Sequence, residues 1–327
     1  MILAGDIGGT KTVLALYQDM PGDFEPLRDA TFVSQDYASL EEIVEQFLAQ
    51  EADLDLAAAC FGVAGPVVEG KSTTTNLPWQ MTETELAEAI GSSQVRLLND
   101  LEAAAYGMLI LPPESFAILN PGAASQPRGN IAVIAAGTGL GEAILHWDGQ
   151  QFHVMATEGG HASFAPQTDL EIALLQYLRE TYGDHVSYER ILSGPGLVDL
   201  YTFLRLYSDK PEPDWLTQAL QAEDPGPVIS RHGIDEDDAV CVETLDWFAS
   251  IYGAEASNLA LKCMGVGGVL LGGGIAPQLL PVLQNGSFMR GFVAKGRFAD
   301  LLRTIEVKVA LNPRAPLLGA AYVASQL

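Results

Sequence analysis

Basic residues are scarce in this chain of 327 residues: 17 lysines and arginines stand against 42 aspartates and glutamates, a formal net charge of −25 at pH 7. Binding to a nucleic-acid backbone or to anionic lipid depends on clustered positive charge. We therefore expect neither nucleic acid nor a membrane as a partner. A nucleotide would have to be held by backbone N–H groups, helix N-termini and a divalent cation.

Cysteine and long apolar runs are also scarce. The three cysteines, Cys60, Cys241 and Cys263, are far apart and lie in apolar segments. They form neither a disulfide framework nor a C-x-x-C metal site, so a reducing, cytoplasmic location is expected. The apolar start of the chain is interrupted at Asp6, and no apolar run reaches spanning length. The sequence thus predicts neither a signal peptide nor a transmembrane helix.

Length and apolar content predict two α/β domains, because 327 residues exceed what one core usually supports and 48% of them are apolar. Two strands, residues 1–4 and 12–17, are predicted on either side of the glycine turn GDIGGTK. The segment IAVIAAGTGLGEAIL repeats this strand, turn, strand pattern in the second half. Pro112 and Pro113 end a helix and mark the predicted domain boundary. The acidic, proline-rich residues 210–238 are predicted to be a surface elaboration.

The turn GDIGGTKT contains the groups that hold a phosphate. Its glycines allow close backbone approach, Thr10 offers a hydroxyl, Lys11 a cation, and Asp6 a carboxylate for a metal-bound water. Taken alone, the segment fits a plain β-hairpin turn equally well. The second turn, AAGTGLGE, favours phosphate binding, because two such turns, one per domain, can hold one triphosphate.

Asn99 and Asp100 follow a buried strand and begin a helix, which is where open α/β sheets place ligands. The alternative is a helix N-cap, which both residue types form well. The helix N-terminus would also favour an ionised Asp100, as a general base that accepts a hydroxyl proton requires.

Polar side chains with mixed donor and acceptor capacity occur in two later loops. Glu158 and His161 flank two glycines in TEGGHASF, and Glu189 follows in SYERILSG. They suit a polyhydroxylated ligand; a metal site at Glu158 and His161 is the less favoured alternative. The glycines of LLGGGIAP fit a nucleotide contact or tight strand–helix packing equally well.

The segments GDIGGTK, FGVAGPV, LLNDLEAAAYG, AAGTGLGEAIL, EGGHASFAP, ERILSGPGLVDLY, LGGGIAP and KGRF occur in the order and spacing of bacterial glucokinases. The chain resembles that family over nearly its whole length. It is less similar to the repressor, open-reading-frame and kinase branch, whose zinc-type cysteine cluster is absent. The resemblance implies two actin-like (ribonuclease H-like) α/β domains with a cleft between them, a small one of residues 1–111 plus about 312–327 and a large one of residues 112–311.

The resemblance further implies a glucokinase that transfers the γ-phosphoryl group of ATP to the 6-hydroxyl of glucose, with Mg²⁺, Asp100 as the base, and a homodimeric state. It implies a first phosphate loop at Asp6, Gly8, Gly9, Thr10 and Lys11, a second at Gly137, Thr138 and Gly139, and adenosine beside Gly272, Gly273 and Gly274. The sugar contacts that it implies are Asn99, Asp100, Glu158, His161 and Glu189, to which the loop TTTNLPWQM adds Asn76.

Three other functions stay open at this point: a kinase for another hexose, a non-catalytic sugar sensor, and a phosphohydrolase on the same fold. The complete base and both phosphate turns argue against the sensor. The predicted sugar contacts argue against the phosphohydrolase. Lys11 stands where some relatives have asparagine, which leaves the choice of phosphoryl donor open.

Overall fold

The computed structural model describes residues 1–18, 25–49, 55–74, 77–122 and 128–327. Asn76, one of the predicted sugar contacts, lies outside the described residues. The chain divides into two units. Unit 1 consists of Met1–Ser115, Val154–Ala156 and Asn312–Leu327, and unit 2 of Phe116–His153 and Thr157–Leu311.

Unit 1 is built on a five-stranded sheet of order β3-β2-β1-β4-β8. Strands β1 and β2 form an antiparallel hairpin, and β4 and β8 add parallel strands on the other side of β1. A small three-stranded sheet, β5-β6-β7, accompanies it. The strands are β1 Ile2–Ile7, β2 Lys11–Tyr17, β3 Pro26–Val33, β4 Ala58–Val63, β5 Val67–Val68, β6 Lys71–Thr73, β7 Gln80–Thr82 and β8 Val95–Asn99.

Helices cover both faces of the unit 1 sheet. They are α1 Leu40–Leu48, α2 Glu83–Ile90, α3 Asp100–Ile110 and α13 Ala315–Ala324. Alternate residues of β1 point to opposite sides: Leu3 packs in the core formed with α1 and α2, whereas Ile2 packs in the core formed with α3 and α13. All six residues of β4 are buried, as expected for a central strand covered on both faces.

The crossing of α3 and α13 is unusually close. A Cβ atom on Gly107 would overlap the carbonyl of Ala315, and one on Gly319 would overlap the carbonyl of Ala103. Only glycine therefore fits at these two positions of the crossing. This contact fixes α3, which carries Asp100 as its first residue, against a helix from the far end of the chain.

Unit 2 is built on a six-stranded sheet of order β12-β11-β10-β13-β14-β9. Its centre repeats the arrangement of unit 1: β10 pairs antiparallel with β11 and parallel with β13. The strands are β9 Phe116–Asn120, β10 Ile131–Ala136, β11 Leu140–Trp147, β12 Phe152–Thr157, β13 Gly268–Gly272 and β14 Val307–Ala310. The helices are α4 Asp169–Tyr182, α5 Gly194–Ser208, α6 Asp214–Ala222, α7 Pro225–Ile234, α8 Ala239–Cys263, α9 Ile275–Gln278, α10 Leu280–Gln284, α11 Ser287–Val293 and α12 Ala299–Arg303.

The structure corrects the expectation for residues 210–238. This passage forms α6 and α7, and Leu216, Val228 and Ile229 are fully buried in the core of unit 2. Its acidic and proline residues lie mostly at the helix ends, where Asp224 caps α7 and Pro225 follows it.

Among the described residues, no helix combines the length and apolarity that a membrane span requires.

Candidate active site

The first glycine turn joins β1 to β2 in unit 1. The Gly8 amide donates to the Lys11 carbonyl at 2.9 Å, and the hydroxyl of Ser34 donates to the Gly8 carbonyl at 2.8 Å. Ser34 is fully buried and its hydroxyl also hydrogen-bonds that of Thr12 at 3.0 Å. The hairpin-turn interpretation is thus correct for the backbone. The buried hydroxyl of Ser34, itself hydrogen-bonded to Thr12, holds the turn in place.

Asp6 lies on β1 next to this turn and is partly buried. Burial, and then the carboxylate of Asp100, raise the pKa of Asp6 to about 6, while Lys11 opposes the shift. Asp6 and Asp100 are therefore close enough to interact electrostatically. Gly62 on β4 makes room for this approach, because a Cβ there would press on Ala103 and reach the Asp100 backbone.

Asn99 caps the helix that Asp100 begins. Its side chain accepts from the Leu101 amide at 2.9 Å, and Glu102 closes a capping box by accepting from the Asn99 amide. The Asn99 amide group also donates to the Gly65 carbonyl at 3.1 Å. The N-cap interpretation is therefore correct for Asn99, whereas Asp100 is the exposed first residue of α3.

The second glycine turn joins β10 to β11 in unit 2. The Gly137 amide donates to the Gly139 carbonyl at 2.8 Å, and the Gly194 amide donates to the Gly137 carbonyl at 2.9 Å. Gly194 is the first residue of α5, so the N-terminus of a 15-residue helix lies beside the turn. The turn itself carries no charged side chain, and Thr138 is exposed.

Three of the predicted sugar contacts lie together in unit 2. His161 belongs to a short 3₁₀ helix, Gly159–His161, and its ring nitrogens lie 4.0 Å from Glu158 Oε2 and 3.9 Å from Glu189 Oε1. Glu189 Oε2 accepts from the Leu140 amide at 3.0 Å. Glu189 thus links the end of the second phosphate turn to the predicted sugar loop.

The two glycines that follow β13 differ in what surrounds them. Gly273 has a φ of 77°, and a Cβ on it would overlap the carbonyl of Ala136, so tight packing explains this glycine. A Cβ on Gly274 would meet nothing within 4 Å, and both residues are exposed. Gly274 therefore leaves its backbone accessible to a ligand.

Among the described residues, no group of three or more His, Cys, Asp or Glu side chains could hold a metal ion. Sequence reasoning missed two buried residues next to the predicted sugar contacts. They are Glu142 on β11, which lies against Gly159, and Glu255 on α8, which lies against Tyr188. The available signal was an acidic residue inside an apolar strand and another inside an apolar helix.

Comparisons with known proteins give one result. The family model described as Glucokinase matches residues 3–327. The glucokinase of Trichormus variabilis is 40% identical, covering 100% of this chain and 99% of that protein. The solved glucokinase from an Antarctic psychrotroph is 32% identical with a TM-score of 0.85, covering 100% of this chain and 99% of that one. A ROK family glucokinase from Streptomyces griseus, solved with glucose and AMPPNP, is 24% identical with a TM-score of 0.65, covering 100% and 99%. The predicted actin-like α/β fold is confirmed.

Proposed function

The chain belongs to the glucokinase family, and from that premise we propose how its residues carry out the reaction. The chain is an ATP-dependent kinase that phosphorylates glucose. The sensor and phosphohydrolase alternatives are therefore set aside. The roles of individual residues, the divalent cation and the assembly are the content of the proposal.

We assign the general base to Asp100. The observation that carries this role is its place: an exposed carboxylate at the first position of α3, at the carboxyl end of β8 and beside Asp6. The first amides of a helix favour negative charge, so Asp100 is suited to accept the proton of the glucose 6-hydroxyl as that oxygen attacks the γ-phosphorus. Its carboxyl oxygen Oδ1 accepts from the Leu101 amide at 2.8 Å, which orients the group.

Mg²⁺ fits the oxygen donors of the first turn. Asp6 is partly buried and feels the negative charge of Asp100, so a nearby cation would relieve the repulsion between them. Mg²⁺ usually keeps several waters and takes one or two carboxylates together with phosphates, which agrees with Asp6 acting through a water. When bound, the cation would neutralise charge on the triphosphate. Asp6 would hold it through a water, and Lys11 would add a positive charge beside it.

Backbone amides hold the rest of the nucleotide in this proposal. Gly8 and Gly137 close the two turns with hydrogen bonds from their own amides. The amides proposed to meet the phosphates are those of Gly9 and Thr10 in the first turn and of Thr138 and Gly139 in the second. The N-terminus of α5 beside Gly137 supports an anion at the second turn. Gly272 to Gly274 lie beside the adenosine, with Gly274 offering open backbone. This arrangement suits a protein with a net charge of −25, because it needs few basic side chains.

In unit 2 the residues proposed to bind glucose hydroxyls are Glu158, His161 and Glu189. In unit 1 they are Asn99 and Asp100. The contacts of His161 with both glutamates supply acceptors and a donor within a few ångströms, as a polyhydroxylated ligand requires. A homodimer and a cytoplasmic location complete the proposal. Light scattering on the purified protein tests the dimer.

The decisive experiment follows ADP production from ATP and Mg²⁺ with glucose and with a panel of other hexoses. Asp100→Asn keeps the size of the side chain but removes its basicity. We expect the variant to bind glucose normally by calorimetry and to lose about 10²- to 10⁴-fold in turnover, the usual contribution of a general base. The control is Asp55→Asn, an exposed residue of the same unit. Turnover of Asp100→Asn near the wild-type value would remove Asp100 from the mechanism.

A further inference from the structure

Two buried carboxyl groups lie side by side next to the segment Glu158–His161, which carries two of the predicted sugar contacts. Glu142 is 1% exposed and Glu255 is 0% exposed, and their side chains are in hydrogen-bonding contact. Each has an Oε1 atom that meets no hydrogen-bond donor among the described residues. The nearest cation, the Nζ of Lys262, is 3.6 Å from Glu255 Oε1 and largely exposed.

Two ionised carboxylates cannot share such a place without a large cost. One proton between them removes the repulsion and supplies the hydrogen atom that two carboxylates in contact otherwise lack. In agreement with this, burial and then the charge of Glu255 raise the pKa of Glu142 well above that of an ordinary glutamate, while Lys262 opposes the shift.

Glu142 supports the loop that carries Glu158 and His161. A Cβ on Gly159 would overlap the Glu142 carboxyl group, so the loop backbone rests directly on it. The Glu142 carbonyl accepts from the Thr157 hydroxyl at 2.8 Å, and that hydroxyl accepts from the Gly159 amide at 3.0 Å. The distance between the Gly159–His161 segment and β11 thus depends on the position of the Glu142 carboxyl group.

Glu255 supports the second loop, which carries Glu189. The Tyr188 hydroxyl hydrogen-bonds to Glu255, and the side chain of Asn258 donates to both of them, at 2.8 Å to Glu255 Oε2 and 3.1 Å to the Tyr188 oxygen. Tyr188 is buried and directly precedes Glu189. The pair therefore contacts the backbone or neighbours of all three predicted sugar residues of unit 2.

We propose that Glu142 and Glu255 are positioning residues for glucose binding, and that a single proton shared between them holds the Gly159–His161 loop and Tyr188 in the binding geometry. This inference rests on the sugar site proposed above. Loss of the proton places two negative charges in one buried site. Their repulsion pushes the carboxyl groups apart and displaces the Gly159–His161 segment and Tyr188. Affinity for glucose should then fall at alkaline pH, while turnover at saturating glucose changes little, because neither residue touches the reacting atoms.

Two tyrosines and two lysines face the pair. Burial raises the pKa of Tyr188 and of Tyr252 above the usual tyrosine value. Lys262 and Lys295 are the neighbouring cations, and the pKa of Lys295 is lowered by burial. Glu158 and His161 lie on the supported loop itself, on the other side of Gly159.

The test measures KM for glucose, KM for ATP and kcat between pH 6.5 and 9.5. Because burial raises the pKa of Glu142, the proton is lost in the alkaline part of this range, and KM for glucose should rise there by up to about tenfold per pH unit if only the protonated form binds. Glu142→Gln donates a permanent hydrogen bond to Glu255, so its KM for glucose should stay flat across this range. The control Glu180→Gln changes an exposed residue of α4 and should follow the wild type.

A flat wild-type KM, or an alkaline rise that persists in Glu142→Gln, overturns the proposal. If Glu142→Gln does not fold, Glu255→Gln offers the same hydrogen bond from the other side. Independently of any variant, infrared spectroscopy of the wild type at pH 7.5 should show the carbonyl band of a protonated carboxyl; its absence refutes the shared proton. Absence of any glucose turnover at pH 7 would instead reject the proposed function, so the two failures are distinct.

Discussion

The two glycine turns share one backbone plan and differ in what holds them. In both units an antiparallel hairpin lies beside a parallel strand, and the turn follows the first strand of the hairpin. The first turn is flanked by the charges of Asp6 and Lys11 and is held by the neutral hydroxyl of Ser34. The second has no charged residue of its own and is held by the carboxylate of Glu189 and the N-terminus of α5.

This difference indicates a division of labour. In our proposal the first turn offers charged side chains to a cation and to the transferred phosphoryl group. The second presents backbone amides only, and its support, Glu189, is also a predicted sugar contact. Damage to the first turn should therefore affect the nucleotide alone, whereas damage to the support of the second should affect both substrates.

The largest effect on this comparison is expected from Asp6→Asn. Loss of the carboxylate that holds a metal-bound water typically costs about 10- to 100-fold in metal affinity or activity. We expect kcat/KM for ATP to fall by that factor and calorimetric glucose affinity to stay within about twofold of the wild type. An equal loss of glucose affinity would contradict the division of labour.

The same residue predicts a pH dependence. Burial and the charge of Asp100 raise the pKa of Asp6 from an ordinary 3.8 to about 6, so Asp6 takes up a proton as the pH falls through 6. Activity with ATP should fall about tenfold per pH unit below 6. Between about pH 6 and 4 the folded state binds this proton and the unfolded chain does not, so this group stabilises the fold as pH falls. Circular dichroism should thus show folded protein at pH 5, where about a tenth of the activity remains; unfolding there would refute this explanation.

Glu189 offers a way to separate its two contacts. Glu189→Gln keeps an oxygen that accepts from the Leu140 amide but loses the charge toward a sugar hydroxyl. We expect its KM for glucose to rise about tenfold or more, since a hydrogen bond to a charged group contributes about 1.5–3 kcal/mol, with KM for ATP nearly unchanged. Glu189→Ala removes both contacts and should raise both KM values. Identical behaviour of the two variants would show that Glu189 does not link the sites.

A smaller effect is expected from Ser34→Ala. The change removes the hydrogen bond to the Gly8 carbonyl and leaves Thr12 without one partner in a buried place, which should lower the free energy of unfolding by about 1–2 kcal/mol. KM for ATP should rise a few-fold and KM for glucose should not change. Thermal unfolding and steady-state kinetics measure the two quantities.

The smallest effect is expected from Thr138→Ala. Thr138 is exposed at the tip of the second turn, and in our proposal its backbone amide, not its hydroxyl, faces the phosphate. Both KM values should stay within about twofold of the wild type. A tenfold rise in KM for ATP would show that the second turn also uses a side chain, and the contrast with the first turn would weaken.

Local signals predicted the parts of the fold that depend on neighbouring residues. Helices α2 and α4 begin directly after Thr82 and Thr168, which cap them by accepting from the amides of Glu85 and Glu171, and caps of this kind can be read from the sequence. Strand β3 offers a weaker signal, because its residues alternate between partly buried and exposed at the edge of the sheet. Edge strands carry little apolar signal.

The candidate site divides in the same way. The glycine turns, Asn99 and Asp100 follow from motifs, and their local conformations can be read from spacing. The pair formed by Glu142 and Glu255 joins residues more than a hundred positions apart, so only the folded unit brings them together. A sequence shows that an acidic residue interrupts an apolar segment; it does not show which second carboxyl it meets.

The close crossing of α3 and α13 sets an order of events during synthesis. Residues 116–311, almost all of unit 2, are made between these two helices. At about 5–20 residues per second a ribosome needs roughly 10–40 seconds for that stretch. Until then the small-residue face of α3 has no α13 to pack against. A growing chain therefore cannot fix the helix that begins with Asp100, its proposed catalytic base, in its final packing before almost all of the sequence has been made.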